Sequence, residues 1–73
     1  MTPTKQPIEL TVNGKSVTLD RPMSLADFLA ARGLHEKMVV VEHNREILRR
    51  DRFADVLLNV GDEVEIVQMM AGG

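Results

Sequence analysis

The sequence predicts an α+β domain in which a mixed sheet of about five strands packs on one main helix. Three observations carry this. Ile8-Glu9-Leu10-Thr11-Val12 alternates apolar and polar residues with period two and runs into Asn13-Gly14, the pair that accepts positive φ at both central positions of a type I′ hairpin turn. The segment from Ser24 to Arg32 carries apolar residues at helical spacing. Two runs rich in β-branched residues, 38–42 and 63–69, then follow the helix, so strands and helix are not arranged as alternating βαβ units.

Each element follows from its residues. Pro3 and Pro7 exclude a helix from residues 1–7, which read as a flexible lead-in to a domain spanning 8–68. Ile8, Leu10 and Val12 share one face of the first strand, and Val17 and Leu19 point inward from the return strand 16–19. Asp20-Arg21-Pro22-Met23 is an exit loop. Ser24 caps the helix and Asp27 adds negative charge to its first turn. Leu25, Phe28, Leu29 and Arg32 form one stripe, with the Arg32 stem along the core edge, and Gly33 stops the helix. The run 38–42, apolar on both faces for part of its length, reads as a central strand covered on both sides. His43-Asn44-Arg45 turns into a short strand, Glu46-Ile47-Leu48. Asp51 caps a single helical turn carrying Phe53, Val56 and Leu57 toward the core. Asn59-Val60-Gly61-Asp62 turns the chain into the last strand, 63–69, with Val64 and Ile66 on one side and Glu63, Glu65, Val67 and Met69 on the other.

Composition narrows the function classes. A chain of 73 residues has little volume for a deep cleft beside a core. It has no Cys, hence no disulfide framework and no thiolate nucleophile, and any sulfur chemistry must use sulfur from outside. His35 and His43 lack metal-ligand spacing and read as solvated, and no metal site is expected. The net charge of −2 and the absence of Trp and Tyr give no footprint or stacking platform for nucleic acid. The first residues hold no apolar stretch of signal-peptide type, and the apolar runs are too short to span a bilayer, so a cytoplasmic protein is expected. No nucleophile–base pair or acid–base dyad stands out, and Glu63 and Glu65 read as solvated, so the chain is not expected to be an enzyme and has no catalytic residues.

The most informative feature is the ending Ala71-Gly72-Gly73. Terminal glycines thread channels closed to other residues and take φ/ψ values that a Cβ forbids. The α-carboxylate of a chain end is an anion at neutral pH and can attack an activated phosphate if a partner's pocket admits it. Taken alone, the tail fits either a reactive end or a frayed one. The approach to it, Glu63 and Glu65 followed by Val67, Met69 and Met70, turns apolar along one face, and exposed apolar patches often mark partner sites. Val40 shares strand parity with Glu42 and joins Val67, Met69 and Met70 as a candidate partner-binding residue.

The ordered set Val12-Asn13-Gly14-Lys15, Ser24-Leu25-Ala26-Asp27-Phe28-Leu29, Gly33-Leu34, 39–47, 61–67 and Gly72-Gly73 resembles the ubiquitin-like sulfur carriers of the ThiS/MoaD family, and within it the ThiS branch. The resemblance implies a β-grasp fold and a sulfur carrier in the making of the thiazole moiety of thiamin. It implies that the Gly73 carboxylate is adenylated by a ThiF-type adenylyltransferase using ATP and Mg²⁺. It further implies conversion to a thiocarboxylate, with sulfur supplied through a cysteine desulfurase, and donation of that sulfur to a ThiG-type thiazole synthase. The chain itself would bind no cofactor, and Gly72 and Ala71 would thread the partner's channel within a flexible reactive tail, 69–73. Departures are Arg49 where relatives often have Pro, and the pair Met69-Met70 where they carry an aromatic or bulky aliphatic residue.

Other readings share the activated acyl-adenylate or the fold. The small subunit of molybdopterin synthase typically has prolines before its Gly-Gly, and Val67-Gln68-Met69-Met70-Ala71 has none. A ubiquitin-like modifier that joins its terminus to a lysine, and an interaction module with an incidental tail, also fit. Deleting Gly73 separates the last, because an interaction module would keep its function.

Overall fold

The computed structural model describes residues 7–69. The first two strands, β1 (Ile8–Val12) and β2 (Lys15–Leu19), form the hairpin, with Ile8 opposite Leu19 and Val12 opposite Lys15. Asn13 and Gly14 both take positive φ, 52° and 80°, as the type I′ turn requires. The Asn13 carboxamide has a second task. Its Oδ1 accepts from the Ile66 N–H at 2.7 Å and its Nδ2 donates to the Ile66 carbonyl at 3.3 Å. The parallel ladder between β1 and the last strand pairs Thr11 with Glu63 and Val12 with Val64; the Asn13 side chain carries that pairing one step further.

After β2 come β3 (Met23–Ser24) and α1 (Leu25–Ala31), then a 3₁₀ turn, Glu36–Met38, and the hairpin of β4 (Val39–His43) and β5 (Glu46–Leu48). A second 3₁₀ turn, Arg50–Arg52, leads to β6 (Leu57–Leu58) and β7 (Glu63–Gln68). The main sheet has the order β2-β1-β7-β4-β5, with β7 parallel to β1 and antiparallel to β4. The last strand is therefore central, and the chain beyond it starts from the middle of the sheet.

The helix is fastened at its N-terminus. Ser24 Oγ accepts from the Asp27 N–H at 3.0 Å, while the Leu25 and Ala26 N–H groups donate to the carbonyls of Val56 (2.8 Å) and Phe53 (3.0 Å). These amides have no partner inside the helix, so the contacts satisfy them and tie the segment around residues 53–56 to the helix. Leu25, Phe28 and Leu29 are buried on the sheet together with Leu10, Val12, Val39, Val41 and Val64. Each such side chain contributes roughly 1.5–3 kcal/mol on burial. The Arg32 guanidinium lies 4.7 Å from the centre of the Phe28 ring, and Gly33 ends the helix at φ +72°.

Five expectations need correction. Val39 and Val41 are buried but Val40 is 40% exposed, so β4 is covered on one face only; a single helix cannot cover both. Met38 closes the 3₁₀ turn and is not the first residue of the strand. Residues Met23 and Ser24 are not simply loop and cap, because they pair with Leu58 and Leu57 in a small separate ribbon. That pairing makes Leu57 and Leu58 a strand, so alternation turns Leu57 outward (50% exposed) and Leu58 inward (0%). A helical reading had placed Leu57 in the core. Asp51 does not cap its turn. It lies within it, 3.6 Å from the exposed Arg49 Nε, and Arg49 at the cap position makes no capping bond. Phe53 reaches the core as expected and Val56 packs against it.

Candidate functional site

Strand parity assembles an outer sheet face opposite the helix. Val40 stands directly opposite Val67, and Glu42 opposite Glu65, across β4 and β7. Glu42 also faces Ile47 on β5, and Glu63 faces Thr11 on β1. Residues paired in this way project on the same side of a sheet. The expected partner-binding residues Val40, Val67 and Met69 are 40%, 61% and 43% exposed, so the structure brings all three to the surface around the end of β7. Ile47, 70% exposed, belongs to the same face and was missed. Its signal was present in the two-residue loop Asn44-Arg45, which fixes the register of the β4–β5 hairpin.

Met69, placed in the tail by the sequence reading, still donates its N–H to the Met38 carbonyl at 2.7 Å. The tail residues Met70, Ala71, Gly72 and Gly73 lie outside the described residues, as does the lead-in before Pro7.

Beside the apolar patch the face is acidic. Glu42, Glu63 and Glu65 border a shallow notch with Thr11, Gly14 and Arg45. Glu63 and Glu65 are exposed, in keeping with their reading as solvated side chains. Arg45 Nε lies 3.8 Å from a Glu63 carboxylate oxygen with both side chains largely in solvent, an arrangement worth little. Arg45 also takes φ 72° and Asn44 φ 51°. The positive φ at Arg45 is a strained state for a side chain of its kind.

A polar corner fixes the start of β7. Asp62 Oδ2 meets His43 Nε2 at 2.8 Å and accepts from the Asn59 N–H at 2.9 Å, and Asp62 Oδ1 accepts from Asn44 Nδ2 at 3.3 Å. Asn44 Oδ1 in turn accepts from the Glu63 N–H at 2.9 Å. His43 is thus half-buried and bonded, not solvated, with 20% of its side chain exposed. The short spacing of His43 and Asn44 from the turn at 59–62 is created by the fold, and sequence separation hides it. His35 is exposed, and its Nδ1 accepts from the Lys37 N–H at 3.1 Å. Burial pushes the Asp62 carboxyl up. The bonds from His43, Asn59 and Asn44, with the charge of His43, outweigh that and hold it below its ordinary value.

Among the described residues no group of three or more His, Cys, Asp or Glu is placed to hold a metal ion, and no helix is long and apolar enough to cross a membrane. The arrangement is an open, half-apolar and half-acidic face beside the outgoing chain.

The comparisons with known proteins agree in direction. Residues 5–73 match the ThiS family. The chain is 38% identical over 65 residues to the sulfur carrier protein ThiS of Bacillus subtilis, covering 88% of this chain and 98% of that one. It is 33% identical over 66 residues to a thiazole synthase of Paramagnetospirillum magneticum, covering 90% of this chain but spanning only 20% of that protein's length. The crystal structure of a thiamine biosynthesis protein (ThiS) from Geobacter metallireducens superposes with a TM-score of 0.77 at 36% identity, covering 90% of this chain and 100% of that one. A solution structure from the same organism gives a TM-score of 0.76 at 36% identity, with 90% and 88% covered.

Proposed function

The chain belongs to the ThiS family and has its β-grasp fold, and we propose that it carries sulfur for thiamin biosynthesis on the carboxylate of Gly73. One observation carries the reading: the family match runs through residue 73 and so takes in Ala71-Gly72-Gly73. The chain acts as a co-substrate of partner enzymes in the cytoplasm, where ATP is supplied.

The chemistry explains why a protein without Cys can do this. A carboxylate oxygen is a poor leaving group. In the first step a Gly73 carboxylate oxygen attacks the α-phosphorus of ATP, a P–O bond breaks, and pyrophosphate departs with the partner's Mg²⁺. In the second, the outer sulfur of a persulfide supplied through a cysteine desulfurase attacks the acyl carbon and AMP leaves. A thiol then breaks the S–S bond of the acyl persulfide, forming a disulfide and freeing the thiocarboxylate. The resulting thiocarboxylate is a strong nucleophile that a thiazole synthase can accept. The similarity of this chain to a segment of a thiazole synthase supports that class of recipient.

The structure supplies the frame for this reading. β7 lies at the centre of the sheet, held by β1, β4 and the Asn13 carboxamide. A partner that covers Val40, Val67 and Met69 therefore sits beside the point from which residues 70–73 depart. Gly72 and Ala71 thread the channel, and Met70 extends the docking surface. ATP–pyrophosphate exchange with a ThiF-type adenylyltransferase tests the proposal. The chain should support exchange, and Gly72→Val should abolish it because a branched side chain must enter a channel shaped for glycine. Exchange at a normal rate with the valine variant would remove the threading argument.

A further inference from the structure

The outer face carries a charge pattern that an apolar docking surface does not need. Glu42 and Glu65 stand directly opposite each other on β4 and β7, and like charges in that position destabilise a sheet. Neither has a cation within ion-pair distance among the described residues. Glu63 adds a third carboxylate to the same notch. Arg45, the cation at its rim, is 88% exposed and 3.8 Å from Glu63, and it is held there by a turn that puts it at φ 72°. The isolated fold is thus left with an uncompensated repulsion beside the exposed apolar residues Val40, Ile47 and Val67.

We propose that this face docks a partner protein that presents a Lys or Arg to the notch between Glu42, Glu63 and Glu65, while apolar side chains of the same partner cover Val40, Ile47 and Val67. The inference rests on the reading that the activating enzyme binds this face, and adds the chemistry by which it is selected. Charge complementarity decides the occupant. A second copy of the chain would bring carboxylates against carboxylates, which disfavours self-association through this face. A cationic side chain relieves the Glu42–Glu65 repulsion and makes charge-assisted hydrogen bonds. It also steers the encounter, because an acidic notch raises the association rate with a basic surface in a salt-dependent way.

The test uses the full chain and a ThiF-type adenylyltransferase, with association and dissociation rates measured at roughly 0.05 M and 0.5 M salt. The double variant Glu42→Gln/Glu65→Gln should associate about tenfold more slowly at low salt, and the gap should close at high salt. The same variant should melt at a higher temperature than the parent, since removing the opposed charges removes a cost to the sheet. Val67→Asp serves as the control for docking itself. If the glutamine variant keeps the parent's rate and salt dependence while Val67→Asp loses binding, the docking reading holds and the cationic partner is wrong. If both variants bind like the parent, the docking surface lies elsewhere and both ideas fall. A chain that sediments alone as a dimer, and as a monomer after Val67→Asp, would assign the face to self-association and overturn the proposal.

Discussion

Replacing Asp62 with alanine should loosen the corner that holds the start of β7. The substitution removes the contacts to His43 Nε2 (2.8 Å), the Asn59 N–H (2.9 Å) and Asn44 Nδ2 (3.3 Å). A hydrogen bond contributes about 0.5–1.5 kcal/mol net, more when the acceptor is charged, and the long third bond contributes least. The expected loss is about 2–3 kcal/mol by that scale. A domain of this size has a total stability of roughly 4–11 kcal/mol, so the loss is a large fraction of it and should lower the melting temperature by about 10–20 °C. Asp62→Asn separates charge from shape. The Asp62 carboxyl is held below its ordinary value of 3.8 in the fold. A group depressed in this way stabilises the fold above its unfolded pKa, and that contribution is lost as pH falls through the folded pKa. The gap in stability between parent and Asp62→Asn should therefore be full above about pH 5 and shrink below it. Urea titrations across that range measure the gap directly. A difference that stays constant down to the lowest pH, or an Asp62→Ala loss below about 0.5 kcal/mol, would refute the claim that these bonds fix the corner.

Three further outcomes follow from the packing. Phe28→Ala, at a position 2% exposed, should cost about 3–5 kcal/mol by urea denaturation. Arg45→Gly should stabilise the chain by about 1 kcal/mol in the same assay, because its φ of 72° suits glycine. Val67→Asp, at a position 61% exposed, should lower stability by no more than about 1 kcal/mol yet weaken binding to the activating enzyme more than tenfold by calorimetry, whereas the buried Leu29→Asp should unfold the protein.

Much of the fold was legible because alternation and helical spacing are local signals. Ile8, Leu10 and Val12, or Leu25, Phe28 and Leu29, announce their buried faces within a few residues of one another. Asn13-Gly14 declares its turn in the same way. The outer placement of Val40, Val67 and Met69 was also readable, since period-two parity along 63–69 needs no knowledge of the neighbouring strands. Long-range facts were not readable. The β3–β6 ribbon joins residues 23–24 to 57–58, and two-residue strands carry no periodicity, so a helical reading places Leu57 in the core position that Leu58 occupies. The run 38–42 read as covered on both faces because an apolar residue destined for a partner and one destined for the interior have the same chemistry. His43 could be recognised as a structural residue only once the fold had brought Asp62 to it.

The measurement closest to the central claim is the intact mass of the chain after incubation with a ThiF-type adenylyltransferase, ATP, Mg²⁺ and a sulfur source. The account predicts a gain equal to the exchange of one oxygen for sulfur, localised by fragmentation to Gly73 and absent without ATP. An unchanged mass, under conditions that convert the similar ThiS protein of Bacillus subtilis, would contradict it.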